Sequence, residues 1–139
     1  MMSEENNVEI LKEAYRYWND NKEKAFENWM DLISEDIKFE SIADGAKGME
    51  FTRKCGCKND VLRYFQELAE EWEMKHFTIN EYIAQGDRVV AIGSCSWIHR
   101  KTGNLVDTPK VDIITMRNSK IVEFYELYDT AKAIAGSQA

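Results

Sequence analysis

Basic residues are in short supply: 18 lysines and arginines stand against 25 aspartates and glutamates, for a net charge of −7. A chain so charged repels nucleic acid and anionic membranes, so neither is expected as a partner. No apolar run is long enough to cross a bilayer. The start, MMSEENNVEI, is acidic and polar where a signal peptide would be basic and then apolar. Cysteine is sparse as well. Three of them, an odd number with no secretion signal, read as reduced thiols in a cytoplasmic protein. Cys55 and Cys57 form a lone CxC, and the two histidines, His76 and His99, are scattered. A structural zinc draws on paired thiolates at CxxC spacing with a second pair, so no metal is expected. Nor is a nucleotide cofactor, because no glycine-rich phosphate loop sits beside a strand. Repeats, linkers and low-complexity segments are missing too, which leaves one domain over residues 1–139.

Aromatic residues, by contrast, are plentiful: four Trp, six Tyr and six Phe. Such side chains contribute large buried areas to cores and pocket walls alike. In the first half they fall at helical spacing. Val8, Leu11, Ala14, Tyr15 and Trp18 mark one helix, with Asn6 or Asn7 as its cap and Asn19-Asp20-Asn21 as its stop. Ala25, Phe26, Trp29, Met30 and Ile33 mark a second, which Ser34-Glu35-Asp36 interrupts before a short strand, Ile37 to Ser41. A third is expected from about Asp60 through Val61, Phe65, Leu68 and Trp72. Between them, residues 42–58 carry three glycines and no periodicity, the pattern of a long loop at a pocket rim.

From Lys75 onward the period changes to two, as Phe77, Ile79 and Ile83 alternate with polar residues. Gly86-Asp87 and Asn118-Ser119 supply turn chemistry between the later strand-like runs. The tail TAKAIAGSQA reads as a short, fraying helix. Three helices followed by four hairpin-linked strands make an α+β domain, with the helices packed on one face of an antiparallel sheet.

The phrases AFENWMDLISEDIKFES, VLRYFQEL, IAQGDRVVAIG, NSKIVEF and ELYDTA run in order across nearly the whole chain. In them the chain resembles the SnoaL-like and ketosteroid-isomerase-related branch of the nuclear transport factor 2-like superfamily. The resemblance implies a cone-shaped barrel, its strongly curved antiparallel sheet closed by three N-terminal helices around a deep pocket. It also implies a homodimer through the outer sheet face. Activity is left open, because this fold hosts isomerases, cyclases, dehydratases, epoxide hydrolases and non-catalytic binders.

Candidate residues follow from the same resemblance. Asp112, in the aliphatic strand VDIITM, matches the aspartate that donates a hydrogen bond to a carbonyl or enolate oxygen in ketosteroid isomerases. The other placement is an outward carboxylate paired with Lys110. Asp129 matches the strand-end general base of SnoaL-like cyclases, or else caps the final helix. Either Tyr15 or Tyr17 can match the active-site phenol. Trp97, His99, Met116 and Tyr125 are expected to line the pocket with Tyr15 or Tyr17, and His99 can act as acid or base there. Two departures matter. Ser41 falls where ketosteroid isomerases carry their base, and Gly93 and Cys95 fall where limonene epoxide hydrolases carry Arg and Asp. The expected activity is therefore cofactor-free acid/base chemistry of isomerase, cyclase or dehydratase type, on a small apolar carbonyl or hydroxyl compound. The alternative is a non-catalytic ligand-binding or dimerisation module.

Overall fold

The computed structural model describes residues 3–139. Helix α1 (Glu4–Asn21) starts at Ser3, whose hydroxyl accepts the Asn6 N–H at 3.0 Å. Ser3 takes the capping role that the sequence suggested for Asn6 or Asn7, and Asn7 is instead buried within the helix. A 3₁₀ turn (Lys22–Ala25) leads into α2 (Phe26–Leu32). Strand β1 then covers Ile33–Ser41, so Ser34-Glu35-Asp36 is part of a longer strand, not a break before one. A loop with a single 3₁₀ turn precedes α3 (Lys58–Glu71), and Trp72 opens β2 instead of closing that helix. Strands β2 (Trp72–Gln85), β3 (Arg88–His99), β4 (Leu105–Arg117) and β5 (Lys120–Tyr128) follow, then α4 (Thr130–Gly136).

The strands form one sheet in the order β1-β5-β4-β3-β2. The three hairpins pair antiparallel, whereas β1 runs parallel to β5. Hairpin turns force their strands into opposite directions, but nothing short ties β1 to its neighbour, so its direction is free. The sheet is thus mixed, and it stays open, with β1 and β2 as its two edges. Asn118 and Ser119 both take positive φ (51° and 64°), as a type I′ hairpin needs.

Curvature has a local cause. The pairing of β2 with β3 slips at Met74/His76 and again at Ile79/Glu81, and each extra residue bends the strand. Gly93 sits opposite the second slip, where a Cβ would lie 1.8 Å from the Thr78 carbonyl oxygen. Only glycine lets the two backbones approach there. Helices α1, α2 and α3 cover the concave face. Tyr15 meets Trp29 edge-on at 5.1 Å and stacks on Phe77 at 5.8 Å, while Phe26 stacks on Phe65 at 4.7 Å. Such pairs add to burial by holding ring geometry.

Candidate functional site

The concave face and its helices enclose a cavity of about 100 Å³. Its walls are mostly aromatic and aliphatic. Tyr15, Trp18 and Trp29 come from α1 and α2, Val61, Tyr64, Phe65 and Leu68 from α3, and Phe39 and Phe124 from the sheet. Two further elements help to close it: Met49 and Phe51 from the loop after β1, and Ala133 from α4.

Strand periodicity places the polar groups. On β4, Val106, Thr108, Lys110 and Asp112 all face inward, because alternate residues share a face. On β5, Phe124, Glu126 and Tyr128 do the same. Register then sets Asp112 directly opposite Glu126, and Lys110 opposite Tyr128. The result is a connected ionic group inside an oily chamber. Lys110 Nζ lies 2.5 Å from Asp112 Oδ1 and 3.2 Å from Glu126 Oε1. Tyr15 donates its hydroxyl proton to Asp112 Oδ2 at 2.5 Å, and Tyr64 donates to Glu126 at 2.9 Å. Asp112, Glu126 and Lys110 are 1%, 4% and 6% exposed, so bulk water does not screen them.

Burial decides the protonation of the phenols. It pushes the Tyr15 hydroxyl well above its ordinary value, and the neighbouring Asp112 charge pushes the same way. Tyr64 rises by burial and then by Glu126, and Tyr128 by burial and then by Glu126. All three remain proton donors at neutral pH. For Lys110, burial works against the charge, but Asp112 and Glu126 outweigh it and raise the ammonium above its ordinary value. Lys110 is therefore a fixed cation and not an amine nucleophile. Two of its three hydrogens meet carboxylates, and the head lies 5.5 Å from the Phe77 ring centre. Burial also lifts the Cys95 thiol in the cavity wall to about 11, which keeps it protonated and unreactive.

The structure brings together only some of the residues singled out in the sequence. Tyr15, Trp97 and Asp112 line the cavity. Asp112 unites the two placements held open for it: it points inward, and it is paired with Lys110. Asp129 lies outside the lining and caps α4, accepting the Lys132 N–H at 3.0 Å. Tyr17 is exposed on the outward side of α1, two residues and about 200° of helix rotation away from Tyr15's face. Tyr125 is 36% exposed, since it alternates with the inward Phe124 and Glu126. Met116 faces inward but lies beyond the cavity, packed in the core near the end of β4. His99 is buried against Trp72, edge-on at 4.8 Å, with Nδ1 within 3.3 Å of the Thr102 N–H. Burial lowers its pKa first, and Lys101 next. Ser41 shares a hydrogen bond of 3.2 Å with Tyr128.

Lys110, Glu126, Tyr64 and Tyr128 were not foreseen as site residues. A period-two count from Asp112 reaches Lys110, and one from Phe124 reaches Glu126 and Tyr128. Tyr64 carries no such signal, because a tyrosine on an amphipathic helix is an ordinary core residue.

A family model for the SnoaL-like domain matches residues 11–124. No curated protein matches the chain. Among solved structures, a nuclear transport factor 2-like protein from Burkholderia xenovorans is 22% identical, with a TM-score of 0.80 over 99% of this chain and 100% of its own. A protein of ketosteroid isomerase-like fold from Catenulispora acidiphila, solved with trimethylamine, is 17% identical, with a TM-score of 0.73 over 93% and 92%. A candidate SnoaL-like polyketide cyclase from Jannaschia sp. CCS1 is 15% identical, with a TM-score of 0.76 over 100% and 97%. At these identities the likeness is one of fold. No described helix is long and apolar enough to cross a membrane.

Proposed function

This chain belongs to the SnoaL-like family, and we propose that within it the protein is a cofactor-free acid/base enzyme acting on a small apolar carbonyl compound. The observation that carries the reading is the Tyr15–Asp112–Lys110 contact inside an apolar cavity. Asp112 acts as the base that takes a proton from the carbon beside the carbonyl. The electron pair of the broken C–H bond moves onto the carbonyl oxygen, and the free hydrogen of Lys110 stabilises the resulting enolate. Return of the proton at another carbon gives an isomerase; attack by the enolate on a second carbonyl gives a cyclase. Tyr15 holds Asp112 in place. We place the enzyme in the cytoplasm, where its three free cysteines stay reduced. We pair two copies through the outer sheet face, where Tyr125 and Leu105 are exposed.

Proton abstraction can be tested before the substrate is known. A panel of small cyclic ketones is incubated with the protein in D₂O, and deuterium entering beside the carbonyl is followed by NMR. The native protein accelerates this exchange, and Asp112→Asn lowers the acceleration about a hundredfold or more, the usual scale for a positioned base. Ketones that raise the melting temperature of the native protein but never exchange faster than in buffer would overturn the reading. They would favour the second one, a binding protein with no turnover. One observation speaks for that alternative: Ser41, at the position of the base in ketosteroid isomerases, is already engaged by Tyr128.

A further inference from the structure

Among the described residues, three buried side-chain polar atoms have no hydrogen-bond partner: Asn7 Oδ1, Ser34 Oγ and Trp72 Nε1. Of the three residues, Trp72 alone lines the cavity. An indole N–H is a donor only, and a buried donor without an acceptor costs more than a hydrogen bond gains. Buried polar groups in folded proteins are overwhelmingly paired, so such an orphan in a cavity wall calls for a reason. The ring cannot easily turn away. His99 meets its face edge-on, and α4 lies against it, with Gly136 so close that a Cβ there would be 3.5 Å from Trp72 Cη2 and 2.4 Å from Val106. Thr102 and Asn104 latch that helix by donating to the Gly136 carbonyl, at 2.8 and 3.1 Å. Other polar groups in this part of the wall are spoken for. Thr108 accepts the Asp129 N–H and donates to the Pro109 carbonyl.

Trp72 and the ionic group stand at different ends of the chamber. Val106, which packs with Trp72 against α4, and Lys110 are four residues apart on β4, about 13 Å at strand rise. A buried water needs about 10–15 Å³, so a chamber of about 100 Å³ holds on the order of seven to ten water-sized groups. That volume suits a single six-membered ring, whose opposite positions point toward the two ends.

Building on the reading of the cavity as an acid/base site, we propose that its ligand is a single-ring compound with oxygen functions at opposite positions. One oxygen faces Lys110 and Asp112, and the other accepts the Trp72 N–H. Trp72 is thus a specificity residue, selecting against a ring with a methyl group at the far end. A site built to hydrogen-bond an oxygen strongly disfavours the analogue that lacks it.

The test uses two probes of like shape, 1,4-cyclohexanedione and 4-methylcyclohexanone, titrated calorimetrically into the native protein, Trp72→Phe and Asp112→Asn. The native protein binds the dione about tenfold more tightly. Trp72→Phe, which keeps an aromatic ring, abolishes the preference, and Asp112→Asn keeps it. In the native protein, the indole N–H resonance missing from Trp72→Phe moves downfield with the dione and not with the methyl ketone, a readout that does not depend on a variant folding. Equal affinity for both probes, binding of neither, or an unmoved indole resonance would overturn the proposal. The two readings fail separately. Deuterium exchange without the preference keeps the chemistry and removes this recognition; the preference without exchange does the reverse.

Discussion

Two polar rows cross the same sheet on opposite faces, and they differ chiefly in their access to water. On the concave face, Lys110 joins Asp112 and Glu126, with Tyr15 and Tyr64 donating from the helices. On the convex face, register lines up His76, Ser96 and Asp107 on β2, β3 and β4. There Ser96 donates to Asp107 and lies 3.0 Å from His76 Nε2. In the outer row His76 and Asp107 are exposed, while the charged members of the inner row are buried. In water, an exposed charge keeps its hydration and gains little from a partner. In the chamber each charge has given up its hydration, and only its partners compensate. The inner row is thus at once the costliest feature of the fold and the one able to act on a bound molecule.

The sharpest way to break this contrast is Lys110→Met. Removing the cation leaves two facing carboxylates with no counter-charge, and stability at pH 7 should fall by about 3–5 kcal/mol, the usual penalty for breaking a buried pair from one side. Urea unfolding measures it. A loss under about 1 kcal/mol would mean that water reaches the cluster.

Next in size is the alkaline limb. Lys110, Tyr15, Tyr64 and Tyr128 all hold their protons more firmly in the fold than in the unfolded chain. Each contributes its full stabilisation below its unfolded value, near 10, and loses it as pH rises toward the folded value. Stability is expected to be level up to about pH 9.5 and to fall above pH 10. In an ultraviolet titration, these three phenols should ionise only together with loss of circular dichroism. Early, reversible ionisation of all six tyrosines would contradict the burial.

The smallest effect belongs to the outer row. Asp107→Asn should change stability by only about 0.5 kcal/mol, the usual scale for a substitution at an exposed position, and leave the deuterium exchange of the ketone panel unaltered. A cost rivalling that of Lys110→Met would show that the convex face is covered in solution.

Much of this was legible in the chain. The spacing of Leu11, Tyr15 and Trp18 marked α1, and the alternation through VDTPKVDIITM marked β4. Boundaries were less so. Ile33 and Trp72 each fit the apolar face of the preceding helix, yet each begins a strand, because an apolar residue satisfies both periods at the junction. The site was half readable. Asp112 stood out as a carboxylate among aliphatics, whereas Glu126 sits in a strand with another glutamate and nothing local sets it apart.

By itself, the sequence determined what local chemistry can determine: which segments coil, which extend, where the chain turns, and that alternate residues of β4 share a face. Tertiary structure decided which face became concave, that β1 joins β5 in parallel, and that Asp112 meets Glu126, Lys110 and Tyr15. It also assigned Asp129 to a helix cap. Periodicity records that residues alternate, but inside and outside exist only once the sheet has curved and the helices have covered one side. The partners of a buried charge come from that covering, and they lie up to 97 positions away along the chain.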